Sequence, residues 1–476
     1  MTGLTSRALW EEMQSLTQNG AVFTRALEHG QAYLREAHDR RVAPTTEAVK
    51  ALDAFREPMP EGMGDPYAII DQLHRAGSPG TMAQTGGRFF GLVNGAVVPT
   101  GLAARLLADC WDQNAVLHAI SPTNAVLEEV CQDWLRDLFG LPESTVAGFV
   151  SGTSMAIVCG LAAARWRLCQ RAGYDVNAGG LAGVPKLRIV TGRHTHSTVM
   201  KAVALLGFGT DTIEWVEVDA QGRLDADDLP EMDDRTILIL QVGNVNSGAF
   251  DPIRAACEKA SAAGAWVHID GAFGLWAAAS QSLRHLTDGI ELAQSWSVDG
   301  HKTLNTPYDS GISLCSDPEA MVKALQNSGA YIMYSEHRDG MLYTPEMSRR
   351  ARAVDLWATL KYLGRSGVDR MVTTLHDRAR QFAEELATAG FEVLNDVSFN
   401  QVLFRIGDKA TTDAFLGGVQ ASGEAWVGGS LWNGDPVVRI SVCSWATTEN
   451  DVRRAVAAFE AARASAGRGV PLAGKR

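Results

Sequence analysis

The chain has 476 residues, of which 46% are hydrophobic and 21% are charged, and its formal net charge is -12. This length predicts roughly two or three domains, and the composition is typical of an ordinary globular protein. The negative charge argues against a nucleic-acid partner and against docking on an anionic membrane surface, because both functions need a basic face.

The cysteines indicate the compartment in which the protein works. There are 7 of them, an odd number, scattered along the chain without a C-x-x-C pair. This usage is typical of a reducing compartment, so we expect a cytoplasmic protein without metal-binding cysteines. We also expect no secretory signal at the N-terminus and no membrane-spanning helix, since no window approaches about 18 uninterrupted apolar residues.

Residues 1–85 are predicted to form an N-terminal helical segment. Apolar residues at helical spacing predict one helix over Ala21–Arg40 and another over Tyr67–Arg75. Such a segment can pack on its own chain or against a partner subunit, and the pattern leaves both possibilities open.

Residues 86–350 are predicted to form a large α/β domain. Helical patterns alternate there with short, continuously apolar strands such as Leu187–Val190, Ile237–Val242 and Trp266–Ile269. This alternation is typical of a mostly parallel sheet covered on both faces. Because ligands of such sheets bind outside the carboxyl ends of the strands, the polar residues after each strand mark the candidate active site.

Residues 351–476 show a different pattern and are predicted to form a small α+β domain. Helical spacing covers Ala353–Tyr362 and Asp369–Ala389, and strand-like runs follow at Val402–Ile406 and Val437–Val442.

Lys302 comes shortly after the apolar run Ser295–Val298, in the sequence Asp-Gly-His-Lys. Most lysines are solvated in loops, which is the simplest interpretation. The alternative is a lysine held in a crevice, where its amine forms a Schiff base with a carbonyl cofactor. The other strand ends decide between the two.

Asp270 ends the strand that begins at Trp266. Burying an ionised aspartate costs several kcal/mol unless the carboxylate is paired. It is therefore either a helix cap or salt-bridge partner, or a carboxylate that faces a cation such as a pyridinium nitrogen.

Two further strand ends carry polar groups. Ser151–Ser154 lies between a strand and a helix, where hydroxyl and N–H groups bind phosphate, although an ordinary helix N-cap is the simpler alternative. The chain has neither a P-loop nor a dinucleotide fingerprint.

His194 and His196 could cap a helix or bind a metal, but no carboxylate or cysteine at suitable spacing joins them. A flat imidazole can also stack on an aromatic ring.

Lysine, aspartate, phosphate cradle and histidine at one sheet edge form the set that pyridoxal 5'-phosphate requires. With this set in view, the chain resembles the group II pyridoxal-phosphate-dependent amino acid decarboxylases, the family of the aromatic-L-amino-acid and glutamate decarboxylases. The resemblance is carried by Ser151–Ala156 (SGTSMA), Thr195–Ala202 (THSTVMKA), Gly248–Pro252 (GAFDP), Val267–Gly274 (VHIDGAFG), Asp299–Gly311 (DGHKTLNTPYDSG) and Ser348–Arg352 (SRRAR).

The resemblance implies the fold type I architecture of pyridoxal-phosphate-dependent transferases, with a mostly parallel seven-stranded sheet. It also implies a homodimer with active sites at the interface. Lys302 would form the Schiff base, Asp270 would hold the ring nitrogen, and His196 would stack on the ring and is a candidate for proton transfer. The other cofactor-binding residues that it implies are Thr153, Ser154, Asn246, Asp299 and His301.

Three departures from the family pattern concern the cofactor ring, the substrate and the product. Asn244-Val245-Asn246 replaces a Thr-Thr pair near the ring hydroxyl. Gly91–Ala96 does not resemble the family's substrate rim. In this region Phe90 and Asn94 are the candidate substrate-binding residues. The family places a proton-donating tyrosine on a mobile loop, and Tyr334 is the candidate, although Tyr331 and Tyr343 lie in the same region. Arg439 matches an arginine that can meet a substrate carboxylate, or forms a structural salt bridge.

The sequence therefore predicts decarboxylation of an L-amino acid to its amine and carbon dioxide, through a quinonoid intermediate on pyridoxal phosphate. The alternatives are a decarboxylation-dependent aldehyde synthase, an aminotransferase or carbon–carbon lyase on the same fold, and a cofactor-free scaffold. The sequence alone does not identify the amino acid.

Overall fold

The computed structural model describes residues 6–184, 186–326 and 337–466. Its strands form two sheets, a large one that carries the candidate site and a small one toward the C-terminus. The large sheet contains β1 (Val146–Val150), β2 (Arg188–Gly192), β3 (Ile213–Val216), β4 (Thr236–Gln241), β5 (Trp266–Asp270), β6 (Ser295–Asp299) and β7 (Gly311–Cys315), and the small sheet contains β8 (Glu392–Val393), β9 (Gln401–Arg405), β10 (Gly428–Trp432) and β11 (Asp435–Ser441).

The α-helices pack on both sheets and form most of the N-terminal segment. They are α1 (Ser6–Asn19), α2 (Ala21–Glu36), α3 (Thr46–Ala51), α4 (Pro66–Gln72), α5 (Ser78–Gly80), α6 (Pro99–Trp111), α7 (Pro122–Phe139), α8 (Thr153–Arg171), α9 (Val176–Gly179), α10 (Ser197–Leu205), α11 (Ile253–Ala262), α12 (Pro318–Leu325), α13 (Ala353–Thr388), α14 (Lys409–Ser422) and α15 (Glu449–Ala466). Short 3-10 helices cover Leu52–Phe55, Thr210–Thr212, Ala226–Asp228, Gly274–Ala279, Arg284–Thr287, Ile290–Leu292 and Gly340–Leu342, and a π-helical turn covers Leu73–Gly77.

The large sheet has the strand order β1-β7-β6-β5-β4-β2-β3. β7 runs antiparallel to both of its neighbours, and every other pairing in the sheet is parallel. The mostly parallel seven-stranded sheet expected from the sequence is confirmed. The carboxyl ends of β4, β5 and β6 consequently meet at one edge.

β4 shows why these strands are apolar throughout. Ile237 and Ile239 pack into a core on one face of the sheet, and Leu238 and Leu240 pack into a second core on the other face. All six residues of the strand are buried. A strand covered by helices on both faces has no polar side, so the run reads as continuously hydrophobic.

The N-terminal segment is helical, as expected, and lies on the surface. The predicted helix over Ala21–Arg40 corresponds to α2, which has no buried residue. Arg25 forms an ion pair with Asp71, with a distance of 2.5 Å from Nε to Oδ1. The segment therefore leaves its apolar side chains largely uncovered within this chain. Among the described residues, no helix is both long and apolar enough to cross a membrane.

α13 links the two sheets. The sequence predicts two helices in this region, and the structure has one long element interrupted at Gly364, which has φ 58° and ψ -177°. The first half, which starts just after the expected boundary at residue 350, packs in the core of the large sheet through Leu356 and Leu360. The second half packs in the core of the small sheet through Phe382 and Leu386.

Candidate active site

A cavity of about 390 Å³ opens at the carboxyl ends of β4, β5 and β6. Its position is the one predicted from the polar residues that follow the strands. It is lined by Val93, Ser151, Gly152, Thr153, Ser154, His196, Thr198, Gln241, Gly243, Val245, Asp270, Ala272, Phe273, Asp299, His301, Lys302 and Tyr308.

Lys302 lies on the wall of this cavity and is held by Asp299. Its Nζ is 2.9 Å from Asp299 Oδ2, and the other carboxylate oxygen, Oδ1, accepts a hydrogen bond from Thr153 N at 2.7 Å. Asp299 is the last residue of β6, and Thr153 is the first residue of α8. One buried carboxylate thus positions the amine and ties it to the helix that begins beside it.

His301 has a defined tautomer because of its backbone contact. Its Nδ1 accepts a hydrogen bond from Ser310 N at 3.1 Å, so the proton of the neutral ring is on Nε2, which is 3.5 Å from Asp299 Oδ2. Burial lowers the pKa of His301, and Asp299 opposes this shift. The imidazole is stacked on Tyr308, with ring centroids 4.1 Å apart.

Asp270 is buried at the end of β5 with weak hydrogen bonding. Its Oδ1 accepts from Ala272 N at 3.3 Å and from Ser297 Oγ at 3.5 Å. Burial raises the pKa of this carboxyl, and the nearby His196 and Lys302 offset only part of the shift. Among the described residues, no basic group forms a salt bridge with Asp270. A protonated ring nitrogen would supply the missing cation.

His196 is both a helix cap and a cavity residue. Its Nδ1 accepts from Thr198 N at 3.3 Å, which makes His196 the N-cap of α10. The proton of the neutral imidazole is therefore on Nε2. Burial lowers the pKa of His196, so the neutral form is favoured. The cap interpretation and the functional interpretation are compatible, because they use different nitrogens.

The start of α8 has the properties of a phosphate cradle. Thr153 Oγ1 is buried and has no hydrogen-bond partner within the described part of the chain. The hydroxyl-bearing residues on either side, Ser151 and Ser154, line the cavity. A Cβ at Gly311 would collide with Gly152 Cα, so the loop can approach β7 this closely only because residue 311 is a glycine. An orphaned hydroxyl at the N-terminus of a 19-residue helix suits a dianionic group, so these residues fit pyridoxal phosphate.

Two predicted residues from the small-sheet side have different environments. Arg439, on β11, donates from Nη1 to the carbonyl oxygen of Val245 at 3.2 Å and has no salt bridge among the described residues. Its positive charge contributes to the low pKa of His196, so the two groups are close. Asn246 does not line the cavity, and its Oδ1 accepts from Ser430 Oγ at 2.8 Å.

The predicted substrate residues are not brought together. Phe90 is 1% exposed and packs edge-to-face on Phe382 in the core of the small sheet, away from the cavity wall. Asn94 lies at the rim, where its Oδ1 accepts from the hydroxyl of Tyr308 at 3.1 Å. Tyr334 lies outside the described residues, so its predicted role as proton donor remains a prediction.

Tyr308 and Gln241 are among the cavity residues that were not predicted. Tyr308 belongs to the motif that carried the resemblance, yet it received no role. Gln241 is the polar residue near the end of the apolar run Ile237–Val242, a signal that could have identified it. In the part of the chain that the structure describes, no group of His, Cys, Asp and Glu side chains is arranged to hold a metal ion.

Comparisons with known proteins agree with this arrangement. Residues 55–407 match the family described as the pyridoxal-dependent decarboxylase conserved domain. A cysteine sulfinic acid decarboxylase of Mus musculus is 28% identical over 336 residues, which are 67% of this chain and 66% of the relative. Tryptophan decarboxylase 1 of Oryza sativa subsp. japonica is 26% identical over 468 residues, 89% of each chain. An acidic amino acid decarboxylase of Mus musculus is 26% identical, and the match spans only 60% of that protein's length and 67% of this chain.

Solved structures show the same fold. A crystal structure of Oryza sativa TDC with PLP and tryptamine has a TM-score of 0.85 at 22% identity and covers 98% of this chain and 99% of that one. Mouse CSAD also has a TM-score of 0.85, at 20% identity, with 94% of this chain and 98% of that chain covered. The resemblance and the cofactor expected from the sequence are confirmed by the family match, and the fold type I architecture is confirmed by the solved structures. The chain belongs to the pyridoxal-dependent decarboxylase family.

Proposed function

We propose that the protein decarboxylates an L-amino acid to an amine and carbon dioxide with pyridoxal phosphate as cofactor. The observation that carries the proposal is one cavity lined by Lys302, Asp270 and Thr153, whose Oγ1 has no hydrogen-bond partner in the described part of the chain. When bound, the cofactor supplies a protonated ring that takes up the electron pair left by the departing carboxylate.

The side chains of the cavity have separate tasks. Lys302 provides the amine that binds the carbonyl group, and Asp299 keeps its Nζ in place at 2.9 Å. Asp270, buried and without a salt bridge among the described residues, favours a proton on the group that faces it. His196 presents Nε2–H to the cavity because Thr198 occupies its Nδ1.

Arg439 is the proposed contact for a substrate carboxylate. It is a partly buried guanidinium with one hydrogen bond to a carbonyl oxygen. Burial lowers the pKa of Arg439, and a carboxylate would stabilise its charge through a bidentate pair. The curated relatives that the chain matches include both acidic and aromatic amino acid decarboxylases, so the contact supports an amino acid substrate and not a particular side chain.

The direct test is the variant Lys302→Ala. Wild-type protein mixed with pyridoxal phosphate should show a visible absorbance band and release carbon dioxide from one or more of the common amino acids. The variant should lose both, because no amine remains to bind the carbonyl group. Lys409→Ala, an exposed lysine on α14, is the control and should keep both. A variant at Lys302 with the wild-type spectrum would refute the proposal.

A second outcome of the same chemistry is an aldehyde product. A phenylacetaldehyde synthase of a Rosa hybrid cultivar is 26% identical over 417 residues, which are 79% of this chain and 80% of the relative. Oxygen uptake with release of ammonia and an aldehyde would assign the chain to this class. Release of an amine without oxygen uptake supports the decarboxylase, and a requirement for a 2-oxo acid would indicate an aminotransferase.

We also propose a homodimer with its active sites at the interface. The support is apolar surface on the N-terminal helices, where Trp10, Met13 and Phe23 are 60%, 54% and 59% exposed. Such a surface normally contacts a partner. Light scattering should give about twice the chain mass of 51.1 kDa, and a monomer would refute this point.

A cytoplasmic location is likewise proposed. It is supported by cysteines that are all free and, apart from Cys110, all buried. Cell fractionation should place the protein with cytoplasmic markers, and recovery from a secreted or membrane fraction would contradict the proposal.

A further inference from the structure

Gln241 is the last residue of β4 and lies beside Asp270 in the cavity wall. The two residues are register partners on neighbouring parallel strands, so their side chains leave the sheet on the same face. Both line the cavity, and Gln241 is 5% exposed. A buried amide therefore stands next to the carboxylate that faces the cofactor ring.

The side-chain amide of Gln241 makes no hydrogen bond to any residue that the structure describes. Polar side chains in protein interiors are normally hydrogen-bonded, and this one opens on the cavity. The backbone is fixed, because Gln241 N donates to Asp251 Oδ2 at 2.7 Å and Val242 N donates to Asp270 O at 2.9 Å. Because these backbone hydrogen bonds hold the end of the strand in place, the partner available to the side-chain amide is a ligand in the cavity.

The order of the strands indicates which part of the ligand faces Gln241. The phosphate cradle is bonded to Asp299 on β6, Asp270 is on β5, and Gln241 is on β4, all at the same edge. In pyridoxal phosphate, the ring nitrogen has the phosphate-bearing arm on one side and the methyl and hydroxyl groups on the other. With the nitrogen at Asp270 and the phosphate on the β6 side, the hydroxyl edge faces β4.

The other groups near this edge are engaged within the chain, lie outside the cavity lining or carry no side-chain donor. Thr198 Oγ1 is 2.7 Å from His196 Nδ1, and Asn246, the residue expected here from the sequence, is bonded to Ser430. Val245 lines the cavity but has no side-chain donor. Among the described residues at the β4 end of this cavity, Gln241 therefore offers an amide donor that no group of the chain uses.

We infer that Gln241 Nε2 donates a hydrogen bond to the hydroxyl oxygen of the pyridoxal phosphate ring. The inference rests on the proposed function, since it requires the cofactor to bind in this cavity. A donor at this oxygen stabilises its ionised form. Gln241 is thus a positioning residue that strengthens cofactor binding and lowers the pH at which the bound chromophore changes its absorbance.

The test uses Gln241→Met, which keeps the length of the side chain and removes the amide. Cofactor affinity is measured by equilibrium dialysis, with pyridoxal phosphate and with an analogue that lacks the ring hydroxyl. The wild-type protein should hold pyridoxal phosphate roughly tenfold more tightly than the variant does. With the analogue, the two proteins should differ by less than about twofold, because the oxygen that Gln241 contacts is absent. The midpoint of the pH titration of the visible band should rise in the variant.

Gln420→Met is the matched control, since Gln420 lies on α14 and donates to the carbonyl oxygen of Val427, outside the cavity. It should match the wild type in every measurement. If Gln241→Met loses affinity equally for both cofactors, the effect is structural and the inference is wrong. Unchanged affinity and spectrum, or a change confined to the KM for the amino acid, also overturn it. A wild-type protein that binds no pyridoxal phosphate would instead refute the proposed function.

Discussion

Two buried charged groups in this protein differ in how they are neutralised. Glu128 on α7 is fully buried between two arginines, with Oε2 3.0 Å from Arg338 Nε and Oε1 2.7 Å from Arg349 Nη2. Asp270 is 4% exposed and has no arginine or lysine within salt-bridge distance in the described part of the chain. The first group is neutralised by the protein itself, and the second requires a cation from outside the chain.

The pKa shifts of the two carboxyl groups follow this difference. Burial acts to raise both, but the charges of Arg349 and Arg338 hold the pKa of Glu128 below its usual value. The pKa of Asp270 is raised, because His196 and Lys302 compensate only in part. A carboxylate that is paired with arginines of the same chain contributes to folding, whereas a buried carboxylate that lacks such a partner at a cavity is suited to binding a ligand. Substitutions in the two regions should therefore affect different properties.

The largest effect is expected for Glu128→Gln. It leaves Arg338 and Arg349 buried without a counter-charge, and should lower the free energy of unfolding by about 3–5 kcal/mol. Urea unfolding measures this change. Glu392→Gln, which removes an exposed ion pair with Arg405, is the control and should cost less than about 1 kcal/mol. Equal losses in the two variants would show that burial of the cluster contributes nothing.

The same cluster predicts a pH dependence. The folded pKa of Glu128 lies below its unfolded value of 4.5, so its contribution to stability is present above that pH and is lost as the pH falls through the folded pKa. Wild-type protein should therefore lose more stability below about pH 4.5 than Glu128→Gln does. If the free energies of unfolding of the two proteins fall in parallel as the pH is lowered, the predicted direction of the pH dependence is wrong.

Asp270→Asn should have the next largest effect, and it should lower activity without lowering stability at neutral pH. Activity should fall at least about a hundredfold, because the charge that stabilises the ring proton is gone. The folded pKa of Asp270 is raised, so its contribution to stability is complete below the unfolded value of 3.8 and is lost as the pH rises. The cofactor-free variant should consequently be more stable than the wild type at neutral pH, and no more stable near pH 3.8. Thermal unfolding of both cofactor-free proteins checks this, and a variant that is less stable at neutral pH would refute it.

Arg439→Met should have the smallest of these effects and should concern the substrate. Losing one charge-assisted pair costs about 1.5–3 kcal/mol, so the KM for the amino acid should rise roughly tenfold to a hundredfold. Cofactor affinity should stay unchanged. Because Arg439 contributes to the low pKa of His196, any His196 titration in the pH profile should move to higher pH. Arg405→Met, whose guanidinium is paired with Glu392 and Asp435 on the surface, should leave the KM unchanged.

Local patterns in the sequence determined the elements of the large sheet and much of the site. Lys302, Asp270, Thr153 and His196 each follow or end a strand, and the structure brings all four to one cavity. This was predictable because the carboxyl ends of parallel strands meet at one edge, so a polar residue directly after an apolar run is expected to lie at that edge. The motifs that carry the family resemblance lie in the same loops, and they indicated the cofactor.

Only the tertiary structure decided which neighbours of these residues face the cavity. It turns Asn246 toward Ser430, buries Phe90 against Phe382, and leaves Gln241 as the open amide beside Asp270. The closed cluster of Glu128 with Arg338 and Arg349 likewise joins α7 to residues more than two hundred positions away. A sequence shows where a strand ends and which side chains it carries there. The direction of each side chain, and the partner it finds, depend on packing between segments that are distant along the chain.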